Sequence, residues 1–346
     1  MTPLEDIIRD EISRHGPIGV DRYMALCLSH PEHGYYMTRD PLGVAGDFTT
    51  APEISQMFGE LVGLWMAHMW RDLGAPERFN LVELGPGRGT LMADVLRVCQ
   101  GVPGFLDVAC VSLVETSPVL RDAQAKALTG HDVRWVEGVH GLDEAPLFVI
   151  ANEFFDALPV KQYQRVGDIW LERVIDWQQG FTFALAKTKA QGLPVAIPDG
   201  AIVERSEAGQ RIVGEISQAI SAHGGAALMF DYGEVEGSGD TLQAVRAHQP
   251  VDPLQEPGSF DLTAHVNFGD LARSLGGSMG YLTTQGQFLK AMGIADRAEA
   301  LSQDKKDATA QEINSAVHRL TDPGEMGTLF KAMAITKDGA QTPPGF

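Results

Sequence analysis

Basic residues are scarce in this chain of 346 residues: 27 Lys and Arg stand against 46 Asp and Glu, a net charge of −19 with His neutral. That balance argues against nucleic acid as a partner and for basic partners, although acidity also serves solubility. Cysteine is equally scarce. Cys27, Cys99 and Cys110 are odd in number, widely spaced and free of any CxxC pair, which excludes a disulfide framework and fits a reducing, cytosol-like compartment with the three as small core residues. No apolar run approaches the roughly 18 residues of a membrane span; the densest, LVGLWMAHMW at 61–70, is short and holds His68. The opening MTPLEDIIRDEI is acidic and lacks the basic and apolar regions of a secretory signal and the Arg-rich character of a transit peptide. Repeats and low-complexity tracts are absent, and Gly and Pro are scattered without period, so collagen-like and disordered classes are excluded. What remains is a chain with 44% apolar and 8% aromatic residues, long enough for two domains or one α/β domain with an appendage.

Helical spacing of apolar residues marks 4–14 (Leu4, Ile7, Ile8, Ile12) and 53–73 (Met57, Leu61, Leu64, Trp65, Met69). Between them lies a long loop, 29–52, rich in Pro, Gly and aromatics, and long loops in compact proteins tend to carry function. From Phe79 the pattern changes to short apolar runs separated by helical stretches, the signature of βαβ units and a parallel sheet. The runs are FNLVEL (79–84), VACVSLVE (108–115), VRWVEG (133–138), LFVIAN (147–152) and AALMFDYG (226–233). Residues 160–187 instead read as successive antiparallel strands turning at Gly167 and Gly180. The last apolar pieces, GYLTTQGQFL and LFKAMAITK, flank an exposed helical stretch around 295–320.

The sharpest motif is LVELGPGRGT, 81–90, a glycine-rich turn after the first strand of the series and before a helix. Such a turn lets a ligand approach the backbone and aims helix N-terminal N–H groups at it. A dinucleotide fingerprint would need a small third residue where Thr90 stands. The spacing is instead Glu83-x-Gly85-x-Gly87-x-Gly89, the pattern of class I methyltransferases that use S-adenosyl-L-methionine. Glu115 ends the next strand, where a carboxylate can accept from ribose hydroxyls, an arrangement that NAD enzymes share. Glu137 with Gly138 ends the third strand, placed either to line an adenine pocket or as a plain surface acid. The fourth strand ends VIANEFFDALP, where a methyl acceptor would sit. Asn152, Glu153, Phe154 and Phe155 resemble the Asn-Pro-Pro-aromatic element of amino-group methyltransferases at its ends, with the middle replaced. Glu153 and Asp156 could bind a cationic acceptor; the plain alternative is a loop with Asp156 as a helix cap and the phenylalanines as core. His30, Glu32 and His33 read as a turn and not a metal site.

Taken in order, SHPEHGYY, GDFTTAPEIS with FGE, LVELGPGRGTL, NEFFDALPV, VDPLQEPGSFDLTAHVNF and TTQGQFL resemble the MidA family of S-adenosylmethionine-dependent methyltransferases, from about residue 15 to 295. Its mitochondrial members act in the assembly of respiratory complex I and methylate an arginine of one of its subunits. The resemblance implies an α/β fold with a Rossmann-like sheet, mostly parallel with an antiparallel strand, a helical N-terminal cap and a small antiparallel β insertion. Together with the patterns above, the expected division is a cap and flap at 1–74, a methyltransferase domain at 75–338 with a β insertion near 160–190 and a helical insertion near 290–322, and a tail at 339–346 that its composition marks as disordered. Glu83, Gly85, Gly87, Gly89, Glu115, Glu137 and Asn152 would bind the cofactor. Asn152, Glu153, Asp156 and Glu53 would form the transfer site, and Asp47, Phe48, Phe154, Asp231 and His265 would contact the acceptor, with Asp261 bordering its cleft. Gly46, Thr50, Pro52 and Ser55 would belong to the flap.

An arginine acceptor is a delocalised cation with a pKa above about 12, so its site needs carboxylates that orient it and take up a proton. Glu153 and Glu53 are the expected pair, with Asp156 as substitute. The expected function is thus a protein arginine N-methyltransferase acting on a basic segment of a partner such as a complex I subunit, in a bacterial cytoplasm or a mitochondrial matrix, with a homodimer as a further expectation. A small-molecule methyltransferase and a non-catalytic assembly factor that binds S-adenosylmethionine are the alternatives.

Overall fold

A computed structural model describes residues 2–38, 49–190, 192–193, 197–237, 239–246, 249–303 and 305–346, with backbone alone at 187–189. The chain forms two compact units. One comprises 49–154, 212–233 and 274–346, the other 1–48, 155–211 and 234–273.

The first of these holds the sheet read from the sequence. Its strands and the helices nearest the site are, in chain order, α1 (Gln56–Asp72), β1 (Phe79–Leu84), α2 (Thr90–Cys99), β2 (Ala109–Val114), α3 (Pro118–Ala127), β3 (Val133–Val136), β4 (Leu147–Asn152), β5 (Gly225–Glu234), β6 (Ser278–Thr284) and β7 (Phe330–Lys337). The strand order is β6-β7-β5-β4-β1-β2-β3. Strands β1 to β5 run parallel, and β7 is antiparallel to both β5 and β6. Every residue of β1 and β4 is buried, as expected where both faces of a parallel sheet are covered. The order reverses direction at β1 and β4, and at such a switch point the strand ends diverge and leave room for a ligand.

Phe79, Phe148, Phe230 and Phe288 are fully buried, with Phe79 against Phe148 at 5.1 Å and Phe230 against Phe288 at 5.2 Å between ring centres. The last residues, expected to be disordered, are ordered here. Trp65 Nε1 donates to Pro344 O at 3.0 Å and the Phe346 ring packs on Phe288 at 5.6 Å, so an indole donor and an apolar face outweigh the Gly/Pro composition of the tail.

Glu60, on α1 and almost fully buried, accepts from Arg97 of α2 at 2.7 Å and from Arg297 at 2.6 and 2.9 Å. Burial opposes its ionisation, but the bonds from Arg297 and Arg97 prevail and hold its carboxyl below the ordinary range. A lowered folded pKa contributes stability above the unfolded value and loses it as pH falls through the folded one. We therefore expect the melting temperature to drop between about pH 5 and pH 3 with a component that Glu60→Gln lacks, measured by thermal scans across pH.

In the other unit, helices Pro3–His15 and Val20–Ser29 pack with the antiparallel strands Lys161–Val166, Ile169–Trp177 and Phe181–Ala190, the successive strands read from the sequence at 160–187. Ile18 and Gly19 pair with Ile175 and Val174. Ile202–Arg205 adds a strand beside Lys161–Val166, and Gln243–Arg246, Gln249–Val251 and Asp261–Thr263 form a three-stranded sheet that the sequence reading did not contain.

Candidate active site

After β1 the chain turns through Gly85, Gly87 and Gly89 with φ of 59°, 53° and 85°, a left-handed series that glycine adopts without steric cost. Gly85 N donates to Val114 O at 3.0 Å, fastening the turn to the end of β2. A side chain at Gly85 would place its Cβ 2.7 Å from Cδ2 of Phe154. Glu83, at the end of β1, is 2% exposed. Burial pushes its carboxyl up to about 8, against a hydrogen bond from Met92 N in the first turn of α2. Its Oε2 is buried without a hydrogen-bond partner among the described residues. A buried acceptor left unpaired is costly, so this oxygen is one that a ligand donor would satisfy.

Beyond β2, Glu115 Oε1 accepts from Thr116 N and Ser117 N, both at 2.8 Å. Burial pushes its carboxyl above the ordinary range, with those N–H groups and the Gln124 amide opposing. Glu115 Oε2 receives Gln124 Nε2 at 3.2 Å, and the same nitrogen donates to Gly87 O at 2.7 Å. Glu137 lies exposed just past β3, outside this hydrogen-bonded set.

At the end of β4, Asn152 is 9% exposed and its Oδ1 is unpaired among the described residues. Glu153 follows with φ of 49°, a left-handed conformation that strains a residue carrying a Cβ. Its N donates to Phe230 O at 2.9 Å, and its Oε1 accepts from Ala51 N at 3.2 Å and Asn152 Nδ2 at 3.3 Å. Phe154 N donates to Asp231 Oδ2 at 3.2 Å, while Asp231 Oδ1 takes Tyr232 N at 2.9 Å. Both oxygens of this fully buried Asp231, expected at the acceptor, thus receive backbone N–H groups. Glu53, on the short helix Ala51–Ile54, accepts from Thr90 Oγ1 at 2.6 Å. The expected Glu153 and Glu53 pair therefore holds that helix between the glycine turn and the end of β4.

Asp156, Asp261 and His265 belong to the other unit. There Asp156 O accepts from Ala264 N, Asp261 Oδ1 accepts from Tyr36 O–H at 2.9 Å, and His265 N donates to Thr241 Oγ1 at 2.8 Å. Burial pushes the Tyr36 phenol well above its ordinary value, and the charges of Asp261 and Asp156 add to it. Gly46, Asp47 and Phe48 lie outside the described residues. Among the residues that the sequence reading missed are Gln124 and Tyr36. Gln124 left one signal, since it sits on the stripe of Leu120 and Leu128 where an apolar residue would be usual.

Residues 61–287, about two thirds of the chain, match the family described as "Putative S-adenosyl-L-methionine-dependent methyltransferase". The chain belongs to this family. It is a methyltransferase and its cofactor is S-adenosylmethionine. Among this methyltransferase's relatives, protein arginine methyltransferase NDUFAF7, mitochondrial, of Xenopus laevis is 38% identical over 94% of the chain and 82% of the relative. The Homo sapiens protein of the same name is 35% identical over 97% and 83%. A Burkholderia thailandensis protein described as a "likely methyl transferase", bound to S-adenosyl-homocysteine, superposes with a TM-score of 0.85 at 27% identity, covering 99% of this chain and 93% of that one. The unpaired Glu83 and Asn152 oxygens and the left-handed glycine turn suit the family's cofactor, which carries an ammonium and hydroxyls to donate and needs close backbone approach.

Proposed function

We propose that this methyltransferase is a protein arginine N-methyltransferase acting on a basic segment of a partner protein in respiratory complex I assembly. The observation that carries the reading is the extent of the match: relatives named protein arginine methyltransferase align with 94–97% of the chain, well beyond the cofactor-binding turn. The net charge of −19 would draw a cationic segment towards the protein. These relatives are named as mitochondrial, and we place the activity where complex I is assembled, in the matrix or, for a bacterial source, in the cytoplasm.

S-adenosylmethionine supplies a sulfonium methyl, and in-line transfer to a nitrogen depends on alignment. We assign Gly85, Gly87 and Gly89 with Glu83 to its methionine part, Glu115 to its ribose and Glu137 to its adenine. The Glu153 carboxylate, held by Ala51 N and Asn152, would orient the guanidinium, localise its charge and receive the proton lost as the N–C bond forms and the S–C bond breaks. Asn152 and Phe154 would border the acceptor nitrogen, with Glu53 holding the helix that fixes Glu153. For Asp47, Phe48, Asp156 and His265 the assignment to the acceptor rests on the sequence resemblance alone.

Incubation with tritiated-methyl S-adenosylmethionine and the subunits of complex I should label a protein, and fragmentation mass spectrometry should place the methyl on an arginine side chain. Label confined to small molecules, or carried on another residue type, overturns the reading.

A further inference from the structure

Ser117 caps α3, accepting from Leu120 N at 3.3 Å, and Pro118 opens the helix. The cap fixes which face turns inward: Leu120, Gln124 and Leu128 are buried at a spacing of one turn. Gln124 is fully buried, so its amide must find partners inside the protein. Its Oε1 accepts from Trp135 Nε1 of β3 at 2.7 Å, and its Nε2 donates to Gly87 O at 2.7 Å and Glu115 Oε2 at 3.2 Å. The orientation follows from the partners' chemistry. An indole nitrogen can only donate, so the amide oxygen faces Trp135; a carbonyl and a carboxylate can only accept, so the NH₂ faces them. A Cβ at Gly89 would lie 3.4 Å from Cα of Gln124, so the helix rests directly against the turn.

We propose that Gln124, with its amide orientation set by Trp135, is the positioning residue of the cofactor site, locking the glycine turn and the Glu115 carboxylate into one fixed geometry before ligand arrives. The inference rests on the assignment of that turn and Glu115 to S-adenosylmethionine. With Oε1 of Glu115 held by Thr116 and Ser117 and Oε2 by Gln124, the carboxylate has no rotational freedom to lose on binding. Through Gly87 O the same amide holds the turn at its middle glycine. Gln124 therefore acts on affinity for the cofactor, and the methyl-transfer step is outside its reach.

The test is calorimetric titration of the intact chain with S-adenosyl-homocysteine for wild type, Gln124→Met, Trp135→Phe and the double variant, alongside thermal melting. Gln124→Met fills the space without the amide and should weaken binding about tenfold, raising KM for S-adenosylmethionine while kcat is kept. Trp135→Phe frees the amide to rotate and should weaken binding about threefold. The double variant should be no weaker than Gln124→Met, since both changes break one device. Variants that melt earlier yet bind like wild type, or losses that add, would show a packing role only and overturn the proposal. Should Gln124→Met fail to fold, unchanged affinity in Trp135→Phe overturns it just as well. Wild type that binds no S-adenosyl-homocysteine would instead sink the cofactor assignment, so the two failures are distinguishable.

Discussion

Gly85→Val should abolish S-adenosyl-homocysteine binding in calorimetry, a loss of more than about a hundredfold, while the protein remains folded. Two effects add. At φ of 59° a β-branched residue pays a backbone penalty of about 1–2 kcal/mol. Its Cβ would also stand 2.7 Å from the Phe154 ring, a distance that one partner must relieve by moving. The ring sits on the turn that carries Glu153, and the glycine sits in the cofactor turn, so the clash displaces both halves of the chemistry. Gly85→Ala paired with Phe154→Leu should recover part of the binding that Gly85→Ala loses, because the steric component is relieved and the backbone component stays. Wild-type affinity in Gly85→Val would mean that the turn is only a strand-to-helix connection.

The parallel sheet could be read in the sequence because each strand is a short, nearly continuous apolar run closed by polar residues, and a sheet covered on both faces demands that pattern. Glu115 and Asn152 could be read for the same reason, as the polar residues at which those runs stop, and Glu83 by its spacing two residues before Gly85. Pairing between distant segments leaves no such mark. Ile18 and Gly19 join Ile175 and Val174 through two residues, and the strands at 243–246, 249–251 and 261–263 are too short to show alternation. The tail has the composition of a loop, and what orders it is Trp65 Nε1 and Phe288, far away in sequence. Gln124 shows in the sequence only as a polar residue on the stripe of Leu120 and Leu128, and its partner shows only when β3 brings Trp135 beside it. A positive φ at glycine can be anticipated, but at Glu153 nothing in the residue type announces it.

That last conformation yields the second large effect. Glu153→Gln should lower the rate of methyl transfer by at least about a hundredfold, leaving affinity for S-adenosyl-homocysteine within about twofold of wild type. Glutamine keeps the length and one acceptor for Ala51 N but lacks the negative charge that a guanidinium needs and the basicity that takes its proton. Glu153→Gly separates function from folding. Glycine adopts φ of 49° freely and releases about 1 kcal/mol of strain, which offsets the loss of the long hydrogen bonds from Ala51 N and Asn152 Nδ2. The melting temperature should therefore stay level or rise while transfer is lost. A strained position that gains or keeps stability when its side chain is removed, and loses activity with it, holds that side chain for chemistry. Full activity in both variants would remove Glu153 from the reaction, and a collapse of stability in Glu153→Gly would make the hydrogen bonds of its carboxylate its purpose.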